Sequence, residues 1–389
     1  MKRMLVGGLA AALLASPALA QKTVKIGLIM TYSGQFADPA AQMDNAIKLY
    51  VKQNGDTVAG KKIEFIRKDS VGAPDTAKRL AQELVVRDKV DILAGFVLTP
   101  EALGAADVSA EAKKFMVVMN AATSIVTTKS PYIVRTSVTI PQLNEPFGMW
   151  AFKKGGVKRA YTMVSDYGPG HDAETAFQTG FKSAGGEIIG SVRFPVANPD
   201  FAPFVQRAKD AKPDGIYVFI PGGTQPPALG KALAERGINT KQTKVLAQGE
   251  LADDAALTAM GDTALGIVTA FHYDHNHKSA KNAAFVKAYT SEYGGRNPDL
   301  FSIGGYDGMH LIYEVLKKTK GNTDGDEMLA AARGMKWESP RGPMSIDPKT
   351  RDVVQTVYIR RVEKVGGKLV NVEFDKVEDV KDPFKERMK

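Results

Sequence analysis

The chain predicts an α/β protein built as two similar, doubly wound lobes. Short apolar runs rich in Val and Ile recur as far as residue 273, and most are nearly continuous, as parallel strands buried on both faces require. Between them lie stretches with helical apolar spacing, so strand and helix alternate at intervals of about 25 residues, the rhythm of βαβ units. The runs also fall into two sets of five with matching spacing, and 389 residues suit two domains.

The first set reads VKIGLIM (24–30), KIEFIRK (62–68), VDILAGF (90–96), FMVVMN (115–120) and YIVRTS (132–137). The second reads RAYTMVS (159–165), EIIGSVRF (187–194), DGIYVFI (214–220), KVLAQG (244–249) and GIVTAFHY (266–273). Ala77, Leu80, Ala81, Leu84 and Val85 form one helical stripe, and Ala173, Ala176, Phe177, Phe181 and Ala184 another. The last third departs from this rhythm. Residues 282–293 and 304–319 read as helices, then 339–374 as turns and antiparallel strands, with a Gly366-Gly367 hairpin signal. The late helices are expected to cover the first sheet and the closing strands to join the second. The expected division is residues 21–138 and 274–340 in the first lobe, and 139–273 and 341–389 in the second.

The first twenty residues read as a secretory signal peptide. Lys2 and Arg3 precede an apolar run from Met4 to Ala15, and Ala18-Leu19-Ala20 is an A-x-A site, so cleavage is expected after Ala20. The run is too short to span a bilayer, which needs about 20 apolar residues. Removing it takes away two positive charges and no acid from a net charge of +9. The chain has no cysteine, hence neither disulfide nor lipid-anchoring thiol. An exported, disulfide-free bacterial protein is most simply periplasmic. Lys and Arg are scattered, as in Lys61-Lys62 and Lys153-Lys154, and interleaved with acids, so no nucleic-acid stripe is expected.

Ligands of open α/β sheets bind beyond the carboxyl ends of the strands, so the loops there carry the candidates. In LTPEA, Thr99 is expected to cap a helix, with Pro100 first inside it and Glu101 in its first turn. A hydroxyl beside the amides of a helix start also suits a carboxylate. Thr123 and Ser124 repeat the arrangement one strand later. Tyr167 precedes Gly168-Pro169-Gly170, which could turn the backbone sharply and project the ring into a cleft. Glu250 directly follows a strand, where a carboxylate could pair with a ligand ammonium. Packing, capping and surface charge would explain the same residues without a ligand.

Enzyme signatures are lacking. GDTVAGKK (55–62) imitates a phosphate loop but ends in Lys62 where Ser or Thr is needed, and it precedes a strand instead of following one. Neither H-E-x-x-H nor G-x-S-x-G occurs. HYDHNH (272–277) holds three of the five histidines and invites a metal reading. His275 and His277 are expected on an exposed turn, His272 near the cleft, and neither metal nor cofactor is expected.

At these loops the chain resembles the periplasmic solute-binding proteins of ABC importers, specifically the branched-chain amino-acid (Leu/Ile/Val) family. The resemblance covers essentially the whole chain after the leader. It runs from VKIGLIMTYSGQFA through DYGPG and GGYDGMHLIYEVL to GPMSIDPKTRD. It implies the type I periplasmic binding fold: two Rossmann-like lobes on a three-crossover hinge, closing like a jaw and docking on a membrane permease. It implies a monomer without enzymatic activity. By resemblance the carboxylate hydroxyl falls on Thr99, beside Leu98, with further contacts at the Ala121 backbone and Thr123. The second-lobe tyrosine falls on Tyr167, the position after PGG on Thr224, and the acid on Gly249 or Glu250; His272 is added as a residue that could reach the cleft. That ambiguity, and Thr224 where an aromatic is common, turn the expectation towards a branch associated with aromatic carboxylates, which GFVLTPEAL and NAATSIVTTKSPYIVRTS also resemble. Phe36, Tyr167 and Phe96 are then candidates to face a ring, with core packing the alternative for Phe96. The competing readings are an amino-acid receptor, a periplasmic sensor, and an exported enzyme using His171, His272, Asp166 or Glu250.

Overall fold

The structure is a computed structural model and describes residues 22–388; the expected leader and its Ala20 site lie outside the described residues. The first sheet contains β1 (Thr23–Met30), β2 (Thr57–Val58), β3 (Lys61–Asp69), β4 (Ile92–Gly95), β5 (Phe115–Val118) and β6 (Ile133–Arg135). Its order is β2-β3-β1-β4-β5-β6, parallel apart from the short β2. The intervening helices are α1 (Ala37–Asn54), α2 (Pro74–Val86) and α3 (Thr99–Glu111), after which α4 (Ile140–Lys153) enters the second lobe.

There β7 (Arg159–Ser165), β8 (Glu187–Phe194), β9 (Gly215–Phe219), β10 (Lys244–Gln248) and β11 (Val268–Phe271) alternate with α5 (Gly168–Ser183), α6 (Ala202–Asp210), α7 (Gln225–Glu235) and α8 (Asp254–Met260). The chain returns through α9 (Ala280–Glu292), α10 (Leu300–Lys318) and α11 (Gly325–Ala332); α9 and α10 pack on α1 of the first lobe. Then β12 (Lys336–Ser339), β13 (Gly342–Ile346), β14 (Val353–Val365) and β15 (Lys368–Val380) extend the second sheet antiparallel, and α12 (Pro383–Arg387) follows. Gly366 and Gly367 both take positive φ (58° and 82°) between β14 and β15, the two-residue turn that favours glycine.

Strand β12 corrects one boundary. It lies before residue 341, yet it pairs with β13 (Trp337 opposite Met344) across the Pro340-Arg341 turn and so belongs to the second sheet. The hairpin partner decides its place, and a strand read alone lacks that information.

In both sheets the five parallel strands run in the order 2-1-3-4-5. Successive crossovers therefore leave in opposite directions on either side of the first strand, opening a crevice at its carboxyl end. The loops after β1 and β4 thus face those after β7 and β9. Segments 136–139, 272–279 and 333–335 carry the chain between the lobes. Two buried arginines lace these crossings. Arg341 bonds Asp307 of α10 (2.9 Å), the Ser137 carbonyl (2.9 Å) and the Thr136 carbonyl. Arg360 of β14 bonds Asp274 (2.8 Å) and the Tyr273 carbonyl (3.1 Å). Losing one partner of such a buried pair costs about 3–5 kcal/mol, so the pairs hold the crossings in register.

Candidate functional site

The first-lobe wall begins where β4 ends. An added Cβ at Gly95 (φ 104°) would lie 2.8 Å from the Ile29 carbonyl, and Phe96 is held at φ 66°, a conformation costly for a non-glycine residue. The Phe96 ring packs into the core with Leu93 and Ile29 and does not face the cleft. The cap of α3 differs from expectation. Leu98 is the N-cap and Thr99 the first helical residue. Buried Glu101 reaches back to accept from the Leu98 amide (2.7 Å) and is held by the hydroxyls of Thr31 (2.5 Å) and Ser70. This frees the Thr99 hydroxyl, which lies 2.9 Å from that of Thr123. Of the two hydroxyl protons in the pair, one is shared between them and one remains to donate.

Arg135, fully buried, fixes the 121–124 loop. It donates to the carbonyls of Ala121 (3.0 Å) and Thr123 (2.8 Å) and is anchored by Asp352 (2.7 Å). The Ala121 amide donates to the Phe96 carbonyl (3.0 Å), so this residue lines the cleft with its amide already committed. The Ser124 amide donates across the lobes to Asp172 (2.7 Å), and its hydroxyl to Asp382 (2.6 Å).

The second-lobe wall starts at Tyr167, the N-cap of α5. A Cβ at Gly170 would sit 1.8 Å from the Ser165 carbonyl, so only glycine permits this tight turn. Tyr167 tilts against Phe219 (ring centres 6.3 Å apart), and burial, reinforced by Glu250, raises its phenol so that it stays protonated. After β10, Gly249 is pinched against Phe271 and Arg360, leaving the side chain of Glu250 to line the cleft. A relay orients that carboxyl: Tyr217 donates to Asn144 (2.5 Å), Asn144 to Gln248 (2.9 Å), and Gln248 to Glu250 Oε1 (2.9 Å). Glu250 Oε2 is buried without a partner, and burial raises the carboxyl to about 7.

The two walls flank a pocket spanning about 490 Å³, part of it open to solvent. Phe36, Tyr167, Phe219 and Phe301 supply aromatic surface, Leu98, Ile140 and Leu300 aliphatic surface, and Thr99, Asn120, Gln248 and Glu250 the polar groups. Thr123 touches it through Thr99.

Besides Thr123, which stands behind Thr99, two expected residues fall outside the pocket. Thr224 is exposed at the start of α7, because Gly223 (φ 90°) turns the chain so closely that an added Cβ would lie 2.5 Å from the Gln35 carbonyl. Pro221 and Gly222 line the pocket in its place. His272 is buried behind the cleft against Phe271 and kept neutral by burial, then by Arg341 and Arg360. The other histidines of HYDHNH are half-buried with separate partners, His275 with Asn297 (3.2 Å) and His277 with Glu373 (2.9 Å). Among the described residues no three His, Cys, Asp or Glu side chains group as a metal site. His171 and Asp166 pair with each other (2.7 Å) on the exposed surface. Sequence reasoning missed Phe219, Leu300 and Phe301. The last two stand at the start of α10, and their one local signal is Asp299, which caps that helix through the amides of Phe301 and Ser302.

Residues 23–368 match the family described as periplasmic binding protein. The chain belongs to that family. A Leu/Ile/Val-binding protein homolog of Brucella melitensis is 40% identical over 386 residues, 98% of this chain and 99% of the relative. A solute-binding protein of an ABC transporter from Rhodopseudomonas palustris BisB5, solved with 3,4-dihydroxybenzoic acid, is 55% identical with a TM-score of 0.90, covering 93% of this chain and 99% of that one. A second, from Rhodopseudomonas palustris HaA2 with p-hydroxybenzoic acid, is 41% identical with a TM-score of 0.90, covering 94% and 100%. Periplasmic binding proteins are receptors for solutes and not a class of enzymes. In this periplasmic binding protein the pocket between the lobes occupies the crevice that the strand order dictates.

Proposed function

We propose that this periplasmic binding protein is the receptor of an ABC importer and closes its lobes on a monocyclic aromatic carboxylate bearing a ring hydroxyl. The observation that carries this reading is Glu250 Oε2, an unpartnered carboxyl oxygen in a pocket walled by four aromatic rings. A phenol can pair with this carboxyl whether it is protonated or ionised, so the protonated form that burial favours still accommodates a ring hydroxyl. The free proton of the Thr99–Thr123 pair on the other lobe suits the carboxylate. Phe36 and Phe301 would face the ring, with Leu98, Ala121 and Tyr167 completing the contacts. The hydroxybenzoates held by the two Rhodopseudomonas palustris proteins support the same class. Export with cleavage after Ala20, a monomeric state and an inner-membrane permease as partner belong to this proposal.

The alternative, a branched-chain amino-acid receptor, is favoured by the Leu/Ile/Val-binding relative. A thermal-shift screen of protein unfolded and refolded to strip carried ligand separates the two. Native-state binding at a hundredfold excess over Kd adds about 2.7 kcal/mol. Stabilisation by benzoate and hydroxybenzoates, strongest with a ring hydroxyl, is expected. Stabilisation by leucine, isoleucine or valine alone would overturn the proposal.

A further inference from the structure

A second chamber, spanning about 940 Å³ with the solvent-open space at its mouth, adjoins the aromatic pocket; Glu250, Leu300 and Phe301 line both. Its walls come from both lobes, which meet there where Asn297 donates to Asp254 (2.9 Å). Six carboxylates line it (Asp38, Glu250, Asp253, Asp254, Asp274 and Asp299) against two guanidinium groups. Both cations are spent: Arg296 grips Asp38 with two bonds of 2.5 Å, and Arg360 holds Asp274. The other four acids form no ion pair among the described residues. Burial raises Glu250 and Asp299 to about 7 and Asp253 to about 6, a penalty that a positive charge in the chamber would relieve.

Asn371 of β15 supplies an independent observation. It is 5% exposed and lines the chamber. Its Nδ2 donates to the Ala252 carbonyl (2.8 Å), which fixes the amide orientation and leaves Oδ1 without a partner. A buried acceptor left unmade costs about 1–3 kcal/mol, so the site calls for a donor. An anion would be repelled, and no three acids converge as a metal ion would require. A primary ammonium offers only donors and a positive charge.

We propose that this chamber binds a small organic primary amine, with its ammonium on Asn371 Oδ1 and the unpaired acids around it, separately from the aromatic pocket. The proposal stands whether or not the aromatic-acid reading holds, because Asn371, Asp253, Asp254 and Asp299 line this chamber and not the aromatic pocket.

Calorimetric titration of the refolded protein with methylammonium and 1,4-diaminobutane tests it, with tetramethylammonium as a cation lacking N–H donors and a parallel titration with 4-hydroxybenzoate. Saturable, stoichiometric binding of a primary amine is expected, absent with tetramethylammonium. It should weaken at least tenfold in Asn371→Leu while 4-hydroxybenzoate affinity stays within twofold of the parent. Asp299→Asn, which keeps the helix cap, should also weaken amine binding and covers the case in which Asn371→Leu does not fold. No saturable amine binding, equal binding of tetramethylammonium, or binding undiminished in both variants would overturn the proposal. Failure of 4-hydroxybenzoate alone would instead count against the aromatic reading.

Discussion

Replacing Glu250 by glutamine should make the protein more stable, and increasingly so as pH rises. The carboxyl is buried, and burial lifts it from an ordinary 4.5 to about 7, with the bond from Gln248 and the field of Arg360 opposing only in part. The folded state thus holds this proton more tightly than the unfolded chain. Its stabilising effect is complete below pH 4.5 and is lost as pH rises towards 7. That interval corresponds to about 3 kcal/mol. Glutamine keeps the volume and can still accept from Gln248, but it does not titrate. Urea unfolding of ligand-free parent and Glu250→Gln across pH 4–8.5 should give a stability difference that is constant below pH 4.5. It should grow in favour of the variant by up to about 3 kcal/mol above pH 7. Other titrating groups are common to both proteins and cancel in the difference. A difference independent of pH would show that Glu250 is not desolvated in the folded protein, and the account of its role in ligand choice would go with it.

The other predictions concern the walls of the pocket and the frame behind them. Thr99→Val or Thr123→Val should weaken carboxylate binding by about 1.5–3 kcal/mol, the usual worth of a hydrogen bond to a charged group, with melting temperature nearly unchanged; unchanged affinity by calorimetry would place the carboxylate elsewhere. Arg135→Met leaves Asp352 buried with only Lys385 as a cationic partner and should cost about 3–5 kcal/mol in urea unfolding. Gly170→Ala drives a Cβ into the Ser165 carbonyl and should cost about 1–3 kcal/mol while displacing Tyr167, seen as reduced ligand affinity. A saturating ligand should make the small-angle scattering profile more compact, because the pocket takes its walls from both lobes; an unchanged profile would refute jaw closure.

Much of this protein was legible from local pattern. Apolar runs at 159–165 and 187–194 coincide with β7 and β8. Gly366-Gly367 marked its hairpin, since two consecutive positive φ angles favour glycine. Thr99, Tyr167 and Glu250 line the pocket because they directly follow strands, and strand order puts such loops at the crevice. In each case the determining interaction lies within a few residues along the chain.

What only the tertiary structure decided depends on groups far apart in sequence. Leu300 and Phe301 join the pocket because α10 returns from the second lobe to pack on α1, an event without a local signature. Glu101 displaced Thr99 from its capping role because Thr31 and Ser70, from other strand ends, make its burial tolerable. Thr224 was turned outward by the approach of Gln35 from the opposite lobe, and His272 was enclosed by Phe271 and two arginines of the hinge. Sequence periodicity specifies which face of an element is apolar. Which side chains meet across the cleft, and which oxygen there is left unpaired, follows only once both lobes are packed together.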